Sequence, residues 1–297
     1  MKCIVTGGAG FIGSEIVKTL LKEGHEVIVL DNFSTGKRTN LPEEGVTIFN
    51  VDISKELPYM YTRRLTGCDA MFHLAALTKV EPSIHNPIEN HHVNITGTLH
   101  MLQLCKTLDI KRFVLSSSCS VYGQANNFPT LETEMAKPLS PYALSKLTGE
   151  HYCKLFSLLY KIETVALRYA NVYGSKQPLE GAYCNVLGIF ANQRKQQLPL
   201  TIVGDGEQKR DYIHVSDVVN ANLKAATNNS VGKGDVINVG FSKDYSVNEI
   251  AKMFGGQTSN LPPRIEPKKA LTRRSYKSKK YIGLETKNKT PELGKRI

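Results

Sequence analysis

The chain has 297 residues, of which 41% are hydrophobic and 22% charged, proportions typical of a globular enzyme that exclude a disordered protein. Its net charge of +11 comes largely from the C-terminal residues, which we interpret as a solvated basic face without the features of nucleic-acid binding. No run approaches the ~18 apolar residues of a membrane span, and no signal-peptide core follows Met1. We therefore expect a cytoplasmic protein with no membrane partner. The six scattered cysteines form no C-x-x-C pair, so we expect no metal site.

Short β-branched segments alternate with helical ones through the first half of the chain. This alternation predicts the α/β class, with a doubly wound parallel sheet and helices on both faces. The predicted strands are 2–6, 26–30, 46–50, 70–73, 112–116 and 164–167. The predicted helices are 11–22, 87–108 and 141–159, and the last has the start signals Ser140 and Pro141.

A glycine-rich turn follows the first predicted strand. Gly7, Gly10 and Gly13 are spaced for a tight turn, close approach of a pyrophosphate, and close packing of the next helix on the strand. A purely structural turn is the alternative. Asp31 ends the second predicted strand, where an aspartate binds the ribose 2′-hydroxyl and repels a 2′-phosphate. The pattern therefore predicts a dinucleotide site that prefers NAD to NADP.

After about residue 170 the chain changes to loops and short elements, which predicts a substrate-binding lobe. We expect helices near 185–196 and 217–227 and a strand at 235–240. The predicted division is a cofactor domain over 1–169 and a smaller C-terminal substrate lobe over 170–297. Within the second part, about 214–240 would return to the sheet.

Tyr142 and Lys146 lie four residues apart on a predicted helix and so share one face. An ammonium group and the positive ring of oxidised nicotinamide would both favour the phenolate, as a catalytic tyrosine requires. Such a pair is more often an ordinary surface pair. Ser118 and its neighbours follow the strand 112–116, at the edge of the sheet where ligands gather, although serines there could simply cap a turn.

Seven motifs in order resemble the extended short-chain dehydrogenase/reductase family, and within it the NAD-dependent nucleotide-sugar epimerases and dehydratases. They include TGGAGFIG at 6–13, the serine cluster at 116–118, Tyr142-x-x-x-Lys146, RYANVYG at 168–174 and RDYIHV at 210–215. The resemblance spans nearly the whole chain and implies a Rossmann-like sheet with NAD as cofactor.

The resemblance also implies roles for individual residues. Tyr142 would be the catalytic base, Ser118 would hydrogen-bond the sugar hydroxyl, and Lys146 would hold the nicotinamide ribose and the phenolate. The implied cofactor contacts, besides Tyr142 and Lys146, are Gly7, Gly10, Phe11, Ile12, Gly13, Asp31, Asn32, Ser34, Thr35, Gly36, Asp52, Ile53, Leu74, Ala75, Ala76, Asn94 and Ala170. The implied substrate contacts, besides Ser118 and Tyr142, are Asn171, Val186, Arg210, Arg264 and Leu271.

Cys119 and Ser120 bear on the reaction. Related dehydratases carry Asp-Glu at these two positions, which supplies the acid and base for eliminating water, and the residues here supply neither. The resemblance then favours reversible oxidation at one carbon, which is 4-epimerisation of a nucleotide sugar, most simply a UDP-sugar. Leu271 in place of a tyrosine would leave room for an N-acetyl group. The alternatives are a dehydratase or another nucleotide-sugar oxidoreductase of the same family, and a non-enzymatic NAD-binding protein. Relatives commonly form homodimers, and we expect one here.

Overall fold

The computed structural model describes residues 1–125, 127–179 and 184–262. In these ranges the strands are β1 (Lys2–Thr6), β2 (Glu26–Asp31), β3 (Val46–Asn50), β4 (Ala70–His73), β5 (Arg112–Ser118), β6 (Glu163–Tyr169), β7 (Asn171–Tyr173), β8 (Leu200–Val203), β9 (Lys209–His214), β10 (Lys233–Val239), β11 (Asp244–Ser246) and β12 (Thr258–Leu261). The α-helices in the same ranges are α1 (Phe11–Lys22), α2 (Tyr59–Arg64), α3 (Val80–His85), α4 (Pro87–His91), α5 (Gly97–Thr107), α6 (Pro141–Tyr160), α7 (Val186–Lys195), α8 (Val215–Thr227) and α9 (Val247–Phe254).

Seven parallel strands form the central sheet, in the order β10-β6-β5-β4-β1-β2-β3. The strands are apolar on both faces because helices cover both faces. On one side, α1 and α8 pack their apolar stripes into a core that includes Ile16 and Val218. On the other side, α5 and α6 do the same with Met101 and Phe156. The expected doubly wound α/β fold is confirmed.

The strand order reverses between β1 and β4, which run side by side with Cys3 opposite Ala70. Connections from these two strands leave in opposite directions, so a crevice opens at their carboxyl ends. The glycine-rich turn after β1 and the segment after β4 form its two sides. This is the position at which open α/β sheets bind their ligands.

A second, smaller core lies beyond the sheet. It is built from a three-stranded sheet in the order β11-β9-β7 and from the parallel pair β12-β8, with α7 and α9 packed on them. Its strands come from two separate stretches of chain, because β10 lies between them in sequence and pairs with β6 in the central sheet. The division into a cofactor domain and a substrate lobe at residue 170 stays a prediction.

The predicted helix 87–108 proves to be three elements in succession. Helix α4 and helix α5 are joined by a π-helical turn over His92–Thr96. A π-turn inserts an extra residue without breaking the helix, so the apolar periodicity continues across it. No helix in the part of the chain that the structure describes is both long and apolar enough to cross a membrane.

Candidate active site

The chain between β1 and the first turn of α1 leaves no space for a side chain at Gly7 or Gly13. Gly7 has a φ of +67°, and a Cβ built on it would lie 2.6 Å from the amide nitrogen of Ala75, after β4. A Cβ on Gly13 would overlap the carbonyl oxygen of Gly7. The Gly7 amide in turn donates to the carbonyl of Leu30 on β2, at 2.8 Å. The glycines therefore let strand, turn and helix approach at backbone contact distance.

Helix α1 begins with free backbone donors. Its N-cap residue is Gly10, which has no side chain to cap the helix, and Phe11, Ile12 and Gly13 form the first turn. Amides in a first turn have no acceptor within their own helix, and they carry the positive end of the helix dipole. These three residues line the cavity described below. The arrangement fits the pyrophosphate of a dinucleotide such as NAD.

Asp31, at the end of β2, links the glycine turn to the loop that follows. Its carboxylate is buried, with one oxygen accepting from the Ala9 amide at 2.9 Å and the other from the Phe33 amide at 2.8 Å. Each oxygen has a second lone pair, so the carboxylate can still accept a ribose hydroxyl. The sequence predicted only the ribose contact and missed this link.

One cavity of about 1980 Å³ runs along the carboxyl edge of the sheet. It brings together most of the residues that the sequence singled out, from the first strand to the seventh. Those that line it are Gly7, Gly10, Phe11, Ile12, Gly13, Asp31, Asn32, Ser34, Thr35, Gly36, Asp52, Ile53, Leu74, Ala75, Ala76, Ser118, Tyr142, Lys146, Ala170 and Asn171. Their individual roles in binding stay predictions.

Asn94 supports the cavity wall and is not among the residues lining it. It lies on the π-turn and is 3% exposed. Its side-chain oxygen accepts from the Leu77 amide at 2.8 Å, and its nitrogen donates to the Leu77 carbonyl at 2.9 Å and to Ser145 Oγ at 3.0 Å. Asn94 thus fixes the segment after β4 against α6. Its predicted contact with the cofactor stays a prediction.

Two of the predicted substrate contacts, Val186 and Arg210, are not among the residues that line the cavity. Val186 opens α7 and packs against the smaller core. Arg210 lies on β9, where its guanidinium donates to the Lys209 carbonyl at 2.8 Å. Arg264 and Leu271 fall outside the described residues.

Tyr142 and Lys146 are both buried on the first turns of α6, at 9% and 6% exposure. The helix starts where the sequence predicted, because Ser140 Oγ accepts from the Ala143 amide at 3.1 Å. Ser118, at the end of β5, lies beside the Tyr142 side chain and acts to lower its pKa. The Lys146 ammonium donates to the carbonyl of Ser116 on the same strand at 2.8 Å. Helix α6 is thereby joined to the carboxyl end of β5 through Lys146, with Tyr142 next to Ser118.

Burial dominates the ionisation of both groups. It raises the pKa of Tyr142, and the hydrogen bond from Ser118 acts in the opposite direction. It lowers the pKa of Lys146 to about 8, and the Glu150 carboxylate opposes this shift. The sequence predicts that the Lys146 ammonium favours the phenolate form of Tyr142. Among the protein's own residues, however, the loss of hydration on burial of Tyr142 has the larger effect, and it favours the neutral phenol. The positive nicotinamide ring is a contribution that bound NAD would add.

Two lysines that line the cavity were missed by the sequence reasoning. Lys79 lies at the start of α3, and Lys176 donates to the Asn40 carbonyl at 2.8 Å. Lys176 could not have been found from the sequence, because its partner is 136 residues away. Ser120, which the sequence singled out only for the choice of reaction, also lines the cavity, and its buried Oγ has no hydrogen-bond partner among the described residues.

Comparison with known proteins gives a consistent result. A provisionally named UDP-glucose 4-epimerase of Methanocaldococcus jannaschii is 41% identical over 250 residues, which is 83% of this chain and 79% of the relative. A crystal structure of UDP-glucose 4-epimerase with UDP-glucose, from Thermotoga maritima, superposes with a TM-score of 0.91 at 34% identity, covering 99% of this chain and 96% of the other.

A third relative acts on a different sugar. The structure of a UDP-N-acetylglucosamine 4-epimerase from Methanobrevibacter ruminantium, in complex with UDP-N-acetylmuramic acid, superposes with a TM-score of 0.88 at 32% identity. It covers 99% of this chain and 96% of its own. Residues 3–240 match the NAD dependent epimerase/dehydratase family. With the glycine turn, the doubly wound sheet and the Ser118, Tyr142 and Lys146 arrangement in place, the chain belongs to the NAD dependent epimerase/dehydratase family.

Proposed function

We propose that the protein is an NAD-dependent nucleotide-sugar 4-epimerase that acts through a transient 4-keto sugar. One observation carries the proposal: Ser118, Tyr142 and Lys146 meet in the same cavity as the glycine-rich turn and the start of α1. A redox group held at that turn and a proton-transfer group on α6 would both reach one substrate.

The protein's residues supply the proton transfers. Tyr142 takes the proton of the C4 hydroxyl, directly or through Ser118, and returns it after inversion. Lys146, fixed on the Ser116 carbonyl, supplies positive charge next to the developing phenolate. Bound NAD supplies the reversible two-electron oxidation at C4. Inversion requires the keto sugar to present its other face while the diphosphate stays held.

Cys119 and Ser120 favour epimerisation over dehydration. Both line the cavity directly after Ser118, and Cys119 Sγ contacts the Arg168 carbonyl oxygen at 3.2 Å. Neither side chain offers the carboxyl pair with which dehydratases remove water. A dehydratase remains the second candidate. Incubation with UDP-glucose followed by NMR distinguishes the two, because an epimerase gives the C4 epimer and a dehydratase gives a 4-keto-6-deoxy sugar.

We propose UDP as the nucleotide, supported by the relatives with UDP-sugars bound. Asn171 lines the cavity and is half-buried, so it can reach the diphosphate or the sugar. We also propose a contact between Arg210 and the diphosphate, since a guanidinium has five N–H donors and can bind phosphate oxygens with two of them. Turnover of UDP-N-acetylglucosamine, compared with that of UDP-glucose, tests the predicted tolerance of an N-acetyl group. Absence of turnover on the acetylated sugar would refute it.

We also propose a homodimer that pairs through α6. Its outer face exposes Leu144, Leu155 and Leu159, which recur on one side of the helix at exposures of 52%, 47% and 61%. An apolar stripe of this kind is unfavourable in water unless a partner covers it. Light scattering tests this, and a monomer at working concentration would contradict it. A cytoplasmic location stays a prediction from the sequence.

Replacing Tyr142 with Phe tests the function as a whole. The enzyme should lose turnover by at least about 100-fold, the usual contribution of a general acid–base group, and keep its NAD. The matched control is Tyr152→Phe, also on α6 but partly buried against the core between α6 and the sheet, away from the cavity. Full activity of the Tyr142→Phe variant would refute the catalytic role and favour a non-enzymatic NAD-binding protein.

A further inference from the structure

A buried ion pair lies behind the catalytic face of α6. Glu150, one helical turn after Lys146, is 4% exposed, and Arg168 on β6 is 5% exposed. Arg168 Nε donates to Glu150 Oε1 at 2.9 Å and its Nη2 donates to Oε2 at 2.7 Å. This two-pronged geometry is the strongest form of the pair and fixes both side chains in direction as well as in distance.

The same carboxylate also holds β5. Ser117 Oγ donates to Glu150 Oε1, and in the sheet Ser117 lies opposite Arg168. Ser117 is flanked by Ser116, whose carbonyl accepts from Lys146, and by Ser118, which lies beside the Tyr142 side chain and acts to lower its pKa. Glu150 therefore holds β5 at Ser117, the residue between Ser116 and Ser118.

From this geometry we infer that Glu150 is a positioning residue for the redox site, acting through Lys146 and through the end of β5. It fixes the position of β5 relative to α6, so that the Ser116 carbonyl lies within hydrogen-bond distance of the Lys146 ammonium and Ser118 lies beside the Tyr142 phenol. It also sets a negative charge one turn below the ammonium. The inference rests on the proposed function, because that function gives Tyr142, Ser118 and Lys146 their roles.

The charges around Lys146 give Glu150 a distinct electrostatic part. From α6 the ammonium is faced by Glu150, with Tyr142 one helical turn before Lys146, and Arg168 on β6 lies beyond the carboxylate. From β4 it is faced by His73, whose pKa is lowered to about 3 by burial and by the charge of Lys146, so the imidazole is neutral. Glu150 is thus the negative group that opposes the effect of burial on the pKa of Lys146.

A purely structural role is the competing explanation, since buried ion pairs occur without any link to a site. Two conservative variants separate the explanations. Glu150→Gln keeps the reach of the side chain and removes its charge. Glu150→Asp keeps the charge but is one methylene too short to hold Ser117 and Arg168 together. A residue that only stabilises the fold would lower the unfolding free energy in both variants and change neither the pKa of Lys146 nor kcat.

The experiment measures kcat from pH 6 to pH 10 for the NAD-loaded wild type and both variants. In Glu150→Gln we expect the alkaline limb of kcat to begin about one pH unit lower, because Lys146 loses its charge partner. In Glu150→Asp we expect kcat to fall about tenfold with KM and the limb unchanged, because the catalytic contacts shift. If Glu150→Gln does not fold, Glu150→Asp decides alone. If the variants fold and show both the kcat and the alkaline limb of the pH profile of the wild type, the inference is overturned.

A second measurement is independent of turnover. Competitive labelling with acetic anhydride, followed by peptide mass spectrometry, reports the pH at which the Lys146 amine becomes reactive. We expect this midpoint to occur at a lower pH in Glu150→Gln than in the wild type. In Ser117→Ala, which removes a contact of the Glu150 carboxylate but no charge, we expect it at the wild-type pH. A shifted midpoint in a protein without epimerase activity would contradict the proposed function and support the inference. Epimerase turnover in the wild type, with the same Lys146 midpoint in Glu150→Gln as in the wild type, would support the proposed function and contradict the inference.

Discussion

Replacing Lys146 with Met should stabilise the fold while it abolishes catalysis. The pKa of Lys146 falls from 10.5 to about 8 on burial, so between those values the unfolded chain binds more protons than the folded one. Stability then rises with pH across this window. At 1.36 kcal/mol for each pKa unit, the buried ammonium destabilises the fold by about 3 kcal/mol at pH 7 and by about 1 kcal/mol at pH 9.5. Methionine is of similar length and carries no charge, so the variant avoids this penalty.

The assay is urea unfolding of both proteins, stripped of NAD, at pH 7 and pH 9.5. The difference in unfolding free energy between variant and wild type should shrink by about 2 kcal/mol between the two pH values. The variant also loses the hydrogen bond from Lys146 to the Ser116 carbonyl, which lowers its unfolding free energy by a similar amount at both pH values. This loss therefore cancels when the two pH values are compared. Lys154→Met, on the exposed face of the same helix, is the control and should show no such change. A difference that stays constant from pH 7 to pH 9.5 would refute the reasoning.

Three further outcomes concern the cofactor side of the cavity. Gly13→Ala should weaken NAD retention and lower the unfolding free energy by about 1–3 kcal/mol, because the new methyl overlaps the Gly7 carbonyl; unchanged NAD content after purification would contradict it. Asp31→Asn should lower the affinity for NAD and reduce the preference for NAD over NADP, because it removes the charge that repels a 2′-phosphate. Calorimetric titrations with both dinucleotides measure this, and an unchanged ratio of the two affinities would count against the ribose contact. Asn94→Ala should destabilise the fold by about 2–4 kcal/mol in thermal or urea melts, since the Leu77 amide and carbonyl lose their partner, and wild-type stability would show that water replaces it.

Much of the central sheet could be predicted because its strands are short apolar runs bounded by glycine or polar residues. The sequence placed the end of β5 at residue 116, but the strand continues to Ser118. Polar residues can continue a strand as long as its neighbour supplies hydrogen bonds, and β6 does so as far as Tyr169. Strands β9 and β11 were missed for a related reason, since KRDYIH and DYS are mostly polar and owe their conformation to each other.

The candidate site shows the same limit. Motif residues such as Gly7, Asp31 and Tyr142 were found because turn chemistry and helical spacing are local properties. The Glu150 and Arg168 pair was not, because it depends on how α6 settles against β6, and no local pattern encodes that contact. The rise in the pKa of Tyr142 was missed too, since burial of a side chain is a property of the assembled fold.

The path of the chain through the smaller core has a consequence for synthesis on the ribosome. The central sheet is complete once β10 has emerged, with the Ala170 amide already bonded to the Val239 carbonyl at 2.9 Å. The smaller core must wait longer, because β8 and β9 pair with β12 and β11, which are translated after β10. A nascent chain can therefore assemble the glycine turn and the crevice beside it before the smaller core, which is the predicted substrate lobe, has formed. Truncation between β10 and β12 should yield a protein that still captures dinucleotide and has no substrate affinity.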